Sequence, residues 1–260
     1  MRKGSVPWIL LLIVVILSAC AGPGSIRHVG SMDSDPLLFI LESRETLAEG
    51  LTATIHMDFE GEDRHFKGKA YLLVSHPGRF RLEVPGWLGS TLLLMASDGQ
   101  HIWAYYPEDA KAYRTTRDGL SLSPYLPFPF PLNTATLPHI LLGSLPREEG
   151  KTASAYETTS GGAVLYLRDP ERGVTRYLFR RSRKGTLYLS ETTLESRSGR
   201  YVTTFDKRPP HHPLRFTFVS AESTLRVKLD QVHFRTTMDE SPFRSPVPPG
   251  IFVKDLESYR

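Results

Sequence analysis

An unbroken alternation of apolar and polar residues runs through Leu51-Thr52-Ala53-Thr54-Ile55-His56-Met57-Asp58-Phe59-Glu60. A two-residue period is typical of a β-strand that buries one face and exposes the other. We therefore predict a half-buried strand here. The apolar set of this strand must face a core, so the neighbouring sequence has to supply the rest of a sheet.

Similar strand signals lie on both sides, separated by turn signals such as His76-Pro77-Gly78 and Asp98-Gly99. Short strands joined by tight turns indicate an antiparallel meander. About a dozen of them predict a mainly β domain built as one strongly curved sheet or barrel. The predicted strands cover 51–60, 65–75, 79–85, 91–97, 101–106, 111–116, 163–168, 173–181, 185–196, 200–206, 213–220 and 224–236.

A proline-rich segment at about 118–146 interrupts this series. Prolines from Pro124 to Pro131 alternate with apolar side chains, and a short helix is predicted to follow and end near Gly143. Proline donates no ladder hydrogen bond, so the segment is not a strand. Because it is so apolar, we expect it to cover the open mouth or concave face of the sheet. A movable lid and a fixed plug that completes the core are both consistent with the sequence.

The sheet is preceded by a predicted helix at 35–49. Ser34 or Asp33 can cap it, Pro36 suits its first turn, and Gly50 ends it. We expect this helix to cover the barrel.

The N-terminus has the pattern of an export signal. Arg2 and Lys3 precede an apolar run that ends in Leu17-Ser18-Ala19-Cys20, and this run is too short to span a bilayer comfortably. The tetrad resembles the bacterial lipobox, which implies cleavage of a signal peptide at 1–19 and covalent diacylglycerol and N-acyl chains on Cys20. Cys20 is the only cysteine, so lipidation also explains the unpaired thiol. Residues 20–34 are then predicted to be a flexible tether.

Composition predicts one domain at 35–260 and excludes nucleic acid as a partner. The chain carries 32 basic and 28 acidic residues, and loss of Arg2 and Lys3 with the signal leaves a formal charge of about +2. The basic run Arg180-Arg181-Ser182-Arg183-Lys184-Gly185 lies between two predicted strands. Such a run suits contact with anionic lipid or phosphate, but its position favours a solvated hairpin tip, and we assign it no function.

Two stretches resemble LolB, a member of the LolA/LolB lipoprotein-carrier superfamily. The first runs from Val84 through Pro85-Gly86-Trp87-Leu88-Gly89-Ser90 to Leu94, and the second from Pro129-Phe130-Pro131-Leu132 to Leu145-Pro146. The resemblance implies an incomplete, half-open antiparallel β-barrel, covered by the N-terminal helix and the proline-rich helical lid. Such barrels bind acyl chains inside.

The resemblance also implies roles for particular residues. Leu88, with Trp87 beside it, matches a loop that helps to insert lipoproteins into the membrane, although a turn folded back onto the sheet is the alternative. The apolar faces of the strands and the lid would line the lipid cavity, or simply form a barrel core. The expected lining residues are Ile55, Met57, Phe59, Phe80, Leu82, Leu92, Leu94, Phe130, Ile140 and Leu141.

The resemblance therefore predicts a monomeric lipoprotein of the outer membrane that faces the periplasm. It would take lipoprotein acyl chains from a LolA-like periplasmic carrier and insert them into the outer membrane, with no cofactor. An envelope scaffold or sensor that binds a partner protein or lipid is the alternative. An enzyme is not expected, because the sequence lacks the catalytic serine and zinc motifs, and His211-His212, the densest histidine site, has no nearby carboxylate pair. No catalytic or metal-binding residue is predicted.

Overall fold

The computed structural model describes residues 26–47, 49–86, 89–116, 122, 125–126, 136–144, 152–169, 173–196 and 199–256. The strands are β1 His28–Met32, β2 Gly50–Gly61, β3 His65–Ser75, β4 Arg79–Pro85, β5 Thr91–Asp98, β6 His101–Tyr106, β7 Lys111–Thr116, β8 Thr152–Thr158, β9 Ala163–Asp169, β10 Gly173–Arg181, β11 Leu187–Ser196, β12 Gly199–Phe205, β13 Pro213–Val219, β14 Ser223–Arg235 and β15 Val253–Asp255. The helices are α1 Asp35–Leu47, α2 Thr136–Leu142 and a short 3-10 helix at Ser241–Phe243.

The strands form one 15-stranded sheet in the order β1-β8-β9-β10-β11-β12-β13-β14-β2-β3-β4-β5-β6-β7-β15. Two antiparallel meanders, β8 to β14 and β2 to β7, meet where β14 pairs with β2. Within the described part of the chain, β1 and β15 each pair on one side only, so the sheet stays open. The chain is a mainly β, half-open antiparallel barrel with few helices, which confirms the predicted fold class.

All twelve predicted strands are present, with bounds within two residues of those expected, and α1 matches the predicted helix. The sequence analysis predicted none of β1, β8 and β15. The predicted tether, 20–34, is wrong over β1, because His28–Met32 pairs with β8. Most side chains of β1 are exposed, so it lacks the alternation that would have revealed it, and its backbone hydrogen bonds to β8 hold it instead.

The interior contains two apolar clusters. The larger one lies inside β2 to β6 and β11 to β14, together with α2. The smaller one lies between α1 and strands β8 to β12, where Leu37 and Leu41 of α1 are fully buried. Helix α1 therefore covers one half of the barrel, as predicted, and α2 packs within the larger cluster. No helix in the described ranges is long and apolar enough to span a membrane.

The C-terminal extension packs on the outer side of the sheet. Phe243 is buried beneath the Arg79 guanidinium, which lies 5.6 Å from the centre of its ring. Farther along, β15 pairs in parallel with β7. Arg114 of β7 makes a bidentate ion pair with Asp255 of β15, in which Nε and Nη2 donate to the two carboxylate oxygens at 2.6 and 2.9 Å. This short strand therefore covers the backbone edge that β7 would otherwise expose.

Candidate functional site

The concave face of the sheet is apolar where the predicted lining strands come together. The inward-pointing side chains of β2 and β4 are buried, with exposures between 0% and 6%. They form one cluster with side chains from β3, β5, β12, β13 and β14. The predicted lining residues that lie in this cluster are Ile55, Met57, Phe59, Phe80 and Leu82.

The prediction for Leu92 and Leu94 is wrong, because both point away from the concave face. Leu92 is 36% exposed and Leu94 is half-buried, whereas Leu93 and Met95 are fully buried. The pairing of β4 with β5 places Met95 opposite Leu82, an inward residue of β4. This stretch of β5 is apolar at nearly every position, so alternation could not indicate which set faces the core.

Strands β13 and β14 complete the concave face with residues that the sequence analysis missed. Phe216 and Phe218 of β13 and Leu225, Val227 and Leu229 of β14 belong to the same buried cluster. Their alternation with polar neighbours was visible in the sequence. The same two-residue period that identified β2 would therefore have identified them as lining residues.

Helix α2 lies against this concave face. Its Leu137, Ile140, Leu141 and Leu142 are only 2% to 5% exposed and belong to the same apolar cluster. The helix contacts β2 and β3 as well as β11, β12 and β13, so it bridges the two meanders. Ile140 and Leu141 are therefore packed with the other predicted lining residues.

Helix α2 ends at Gly143, where the backbone adopts a left-handed conformation with φ of +67°. The amide of Ser144 donates to the carbonyl of His139 at 3.1 Å, as in a Schellman motif. A Cβ on Gly143 would approach Leu189 Cδ2 to 2.5 Å and Phe205 Cζ to 2.8 Å. Glycine thus allows both the turn and the close contact with the sheet.

A buried arginine of α1 holds the same end of α2. Arg44 is 6% exposed, and its Nε and Nη2 donate to the Leu142 carbonyl at 3.0 and 2.8 Å. Nη2 also donates to the His211 carbonyl at 3.2 Å, and the guanidinium lies 4.8 Å from the centre of the Phe205 ring. Burial lowers the pKa of Arg44 to about 10, so it stays charged at neutral pH. One cation therefore connects α1, α2 and the loop before β13.

Ser144 provides a second polar connection at this end of α2. Its Oγ lies 3.0 Å from Nδ1 of His139 and 3.4 Å from Nε2 of His76, and the two imidazole rings are 4.6 Å apart. Tyr177 of β10 donates its hydroxyl to the Ser144 carbonyl at 3.3 Å, and burial raises the pKa of this phenol. Side chains from both meanders thus meet at the C-terminal end of α2.

Two other described residues of the lid segment reach the same core. Leu122 and Leu126 are buried in the larger cluster. The Leu126 carbonyl accepts a hydrogen bond from Arg64 at 3.1 Å, and the neighbouring Tyr125 carbonyl accepts one from the Tyr106 hydroxyl. Burial is the main cause that raises the pKa of Tyr106 to about 12. The predicted lid is therefore attached to the barrel at these points as well as through α2.

Four predicted functional residues lie outside the described residues. They are Cys20, Trp87, Leu88 and Phe130. The loop that contains Trp87 and Leu88 is bracketed by a hydrogen bond from the Gly86 amide to the Ser90 carbonyl at 2.8 Å. Because β4 begins beside the His76 turn and ends at Pro85, the flanking residues Gly86 and Ser90 lie at the opposite end of the sheet from the C-terminal end of α2.

The histidine pair noted in the sequence lies near the Arg44 contacts. His211 Nδ1 is 2.9 Å from the Asp206 carbonyl oxygen, and its ring stacks on Tyr188. His212 packs against Phe234, and its Nδ1 is buried with no hydrogen-bond partner among the described residues. Burial, and then the charge of His233, lower the pKa of His212. Among the described residues, no three histidine, cysteine or acidic side chains are grouped as they would be to hold a metal ion.

The chain matches no protein-family model and no curated protein sequence. It is similar to the solved structure of a LolA superfamily protein from Nitrosomonas europaea, with 13% identity, a TM-score of 0.47 and coverage of 82% of this chain and 98% of that one. A putative outer membrane lipoprotein-sorting protein domain from Vibrio parahaemolyticus shows 13% identity, a TM-score of 0.42 and coverage of 82% and 97%. A DUF1329 family protein from Desulfovibrio piger shows 10% identity, a TM-score of 0.42 and coverage of 80% and 95%. At these identities and TM-scores, the similarities transfer no family membership, ligand or residue role to this chain.

Proposed function

We propose that this protein binds acyl chains of lipoproteins against its concave sheet face and helps to insert those lipoproteins into the outer membrane. The observation that carries the proposal is the packing of α2. This seven-residue helix lies outside the sheet, and its apolar side chains pack against the concave face. An acyl chain offers the sheet the same kind of surface, so it could take the place of α2.

The free energies of the two kinds of contact are of similar size. Exposing the four buried apolar side chains of α2 costs about 1.5–3 kcal/mol each, or roughly 6–12 kcal/mol together. Burying an acyl chain contributes about 0.8 kcal/mol per methylene, so roughly 8–15 methylenes offset that cost. One acyl chain of ordinary membrane-lipid length is therefore enough to offset the loss of the apolar contacts of α2.

The location follows from the proposed anchor. Diacylglycerol and an N-acyl chain on Cys20 would hold the domain at the outer membrane on its periplasmic side, because two or more chains anchor a protein durably. A LolA-like periplasmic carrier would deliver the client. Transfer needs only a gradient of affinity from carrier to receptor to bilayer, so we assign no covalent step to any residue.

Trp87 and Leu88 are the proposed membrane-insertion loop, since an amphipathic ring and an aliphatic side chain together suit the bilayer interface. Leu88→Glu should leave capture of a client intact and abolish its release into lipid. Leu92→Glu is the matched control, because Leu92 is an exposed leucine on the adjoining strand and lies outside this loop.

The test is transfer of a labelled lipoprotein from a periplasmic carrier to the purified mature protein and then to liposomes. Capture followed by release supports the proposal, and release that requires Leu88 but not Leu92 supports the insertion loop. Failure to capture any client would overturn the proposed function.

The second candidate is an envelope scaffold or sensor that keeps its ligand. The contacts of Arg44 and Ser144 with the end of α2 favour it, because they stabilise one closed arrangement. Stoichiometric uptake of acyl ligands without release to liposomes would identify this function instead.

A further inference from the structure

A group of exposed cations lies at one end of the barrel, where β1 begins and where β10 turns into β11. We call it the basic rim, and its members are Arg27, Arg180, Arg181, Arg183 and Lys184. The sequence analysis placed four of them on a hairpin tip. The structure adds Arg27, which directly precedes β1.

Backbone contacts make the rim continuous. The Arg27 carbonyl accepts a hydrogen bond from the Thr159 amide at 3.2 Å. Two residues farther along the same turn, the Gly161 carbonyl accepts one from Nε of Arg181 at 3.0 Å. The β8–β9 turn therefore joins the start of β1 to the basic hairpin.

The charge of the rim is not neutralised locally. Within the described part of the chain, no rim cation lies within 4 Å of a carboxylate, and Arg181 is bonded only to the Gly161 and Gly185 carbonyls. Glu157 is an exposed acidic neighbour on β8, and the Asp206 carboxylate is held by Arg208 at 2.9 Å. The rim therefore presents an excess of positive charge to solvent.

The position of the rim relates it to the proposed lipid anchor. Arg27 is seven residues from Cys20, a distance of at most about 25 Å of extended chain. A short connection keeps this end of the barrel close to the bilayer, and contact brings the cations within the Debye length of about 8–10 Å. Cationic clusters beside a membrane anchor are attracted to anionic lipid.

We propose that the basic rim docks on the phosphate headgroups of anionic phospholipids in the membrane that holds the anchor. The choice of membrane rests on lipidation of Cys20, which is part of the proposed function. Docking by the rim turns the opposite end of the sheet, with the loop between Gly86 and Ser90, toward the periplasm. Rim docking and insertion of that loop are therefore successive states of the domain, because the two contacts lie at opposite ends.

The test uses the mature chain, residues 20–260, with Cys20→Ala so that it carries no lipid. Its co-sedimentation is measured with vesicles of phosphatidylcholine alone and with vesicles that also contain phosphatidylglycerol. The rim variant is R180Q/R183Q/K184Q, which keeps Arg181 because its hydrogen bonds support the hairpin. The control variant, K69Q/R215Q/K228Q, removes the same charge from the outer face of β3, β13 and β14.

The wild type should bind the phosphatidylglycerol vesicles and lose binding as salt is added. Each cation near an anionic surface strengthens binding about fivefold, so the rim variant should bind about a hundredfold more weakly and the control nearly as well as wild type. The assignment would be overturned if the rim and control variants lost vesicle binding equally, or if the wild type bound vesicles of phosphatidylcholine alone as strongly as those with phosphatidylglycerol. Retention of the wild type on duplex DNA as strong as its binding to the anionic vesicles would also overturn it. Since no client lipoprotein is present, failure of client capture would leave this result unaffected.

Discussion

At the scale of single residues, Arg44 connects parts of the chain that lie far apart in sequence. Its bonds to the Leu142 and His211 carbonyls span 98 and 167 positions. Arg44→Met should lower the free energy of unfolding by about 2–4 kcal/mol, because two buried carbonyls lose their donor. Urea unfolding measures this change. Arg208→Met is the control, since this exposed arginine pairs with a carboxylate at the surface, and equal effects of both substitutions would contradict the account.

His212 should make the fold sensitive to acid. Its pKa is lowered in the folded state, so below the ordinary value of 6.5 the unfolded chain binds more protons and unfolding becomes easier as the pH falls. His212→Phe keeps a ring against Phe234 and should reduce the loss of stability between about pH 7 and pH 5. The measurement is urea unfolding across that range, and an unchanged pH dependence would refute this role.

The sequence predicted some single-residue roles and could not predict others. It placed the end of a helix near Gly143, because glycine commonly follows a helix. It could not show that a Cβ there would meet Leu189 and Phe205, or that Arg44 would reach Leu142. Such contacts join residues far apart in sequence, so local patterns carry no signal for them.

At the scale of elements, strands with alternating residues were predicted and short strands were not. Strand β15 has three residues and depends on pairing with β7 and on the Arg114 ion pair with Asp255. Strand β5 was predicted, but with the wrong face inward. The sequence of a strand that is apolar at nearly every position does not show which side chains face the core. The register of β5 with β4 determines which of its residues are buried.

The facing of β5 can be tested by two matched substitutions. Leu93→Ala should destabilise the protein by about 2–5 kcal/mol, because Leu93 is fully buried in the larger cluster. Leu92→Ala should cost less than about 1 kcal/mol, because that side chain is 36% exposed. Chemical unfolding of both variants gives the comparison, and a larger effect at Leu92 would reverse the facing described for β5.

At the scale of the whole molecule, two meanders share one sheet, helix α1 packs against one of them, and helix α2 bridges both. The alternating pattern predicted a strongly curved sheet or barrel, and the family resemblance implied that it is half-open. Five of the expected lining residues, all on β2 and β4, lie in the larger apolar cluster. The pattern could not reveal how α2 is held, because the holding groups come from α1, β10 and the turns at one end of the sheet.

The displacement of α2 predicts a dependence on acyl-chain length. Lipopeptides whose chains have fewer than about eight methylenes should not bind, and each added methylene should tighten binding about fourfold. Calorimetric titration with a series of chain lengths measures this slope. An affinity that does not change with chain length would mean that the ligand is held by its headgroup instead.

The central claim is that an acyl ligand takes the place of α2, and a thiol in α2 tests it most directly. With Cys20→Ala, Ile140→Cys places one cysteine in the mature chain at a position that is 3% exposed, and Leu165→Cys places one in the fully buried smaller cluster as a control. The measurement is the rate of alkylation of each thiol with and without a triacylated lipopeptide. We predict that the ligand accelerates alkylation at position 140 by more than about tenfold and leaves position 165 protected. A thiol at position 140 that stays protected while the lipopeptide is bound would contradict the claim.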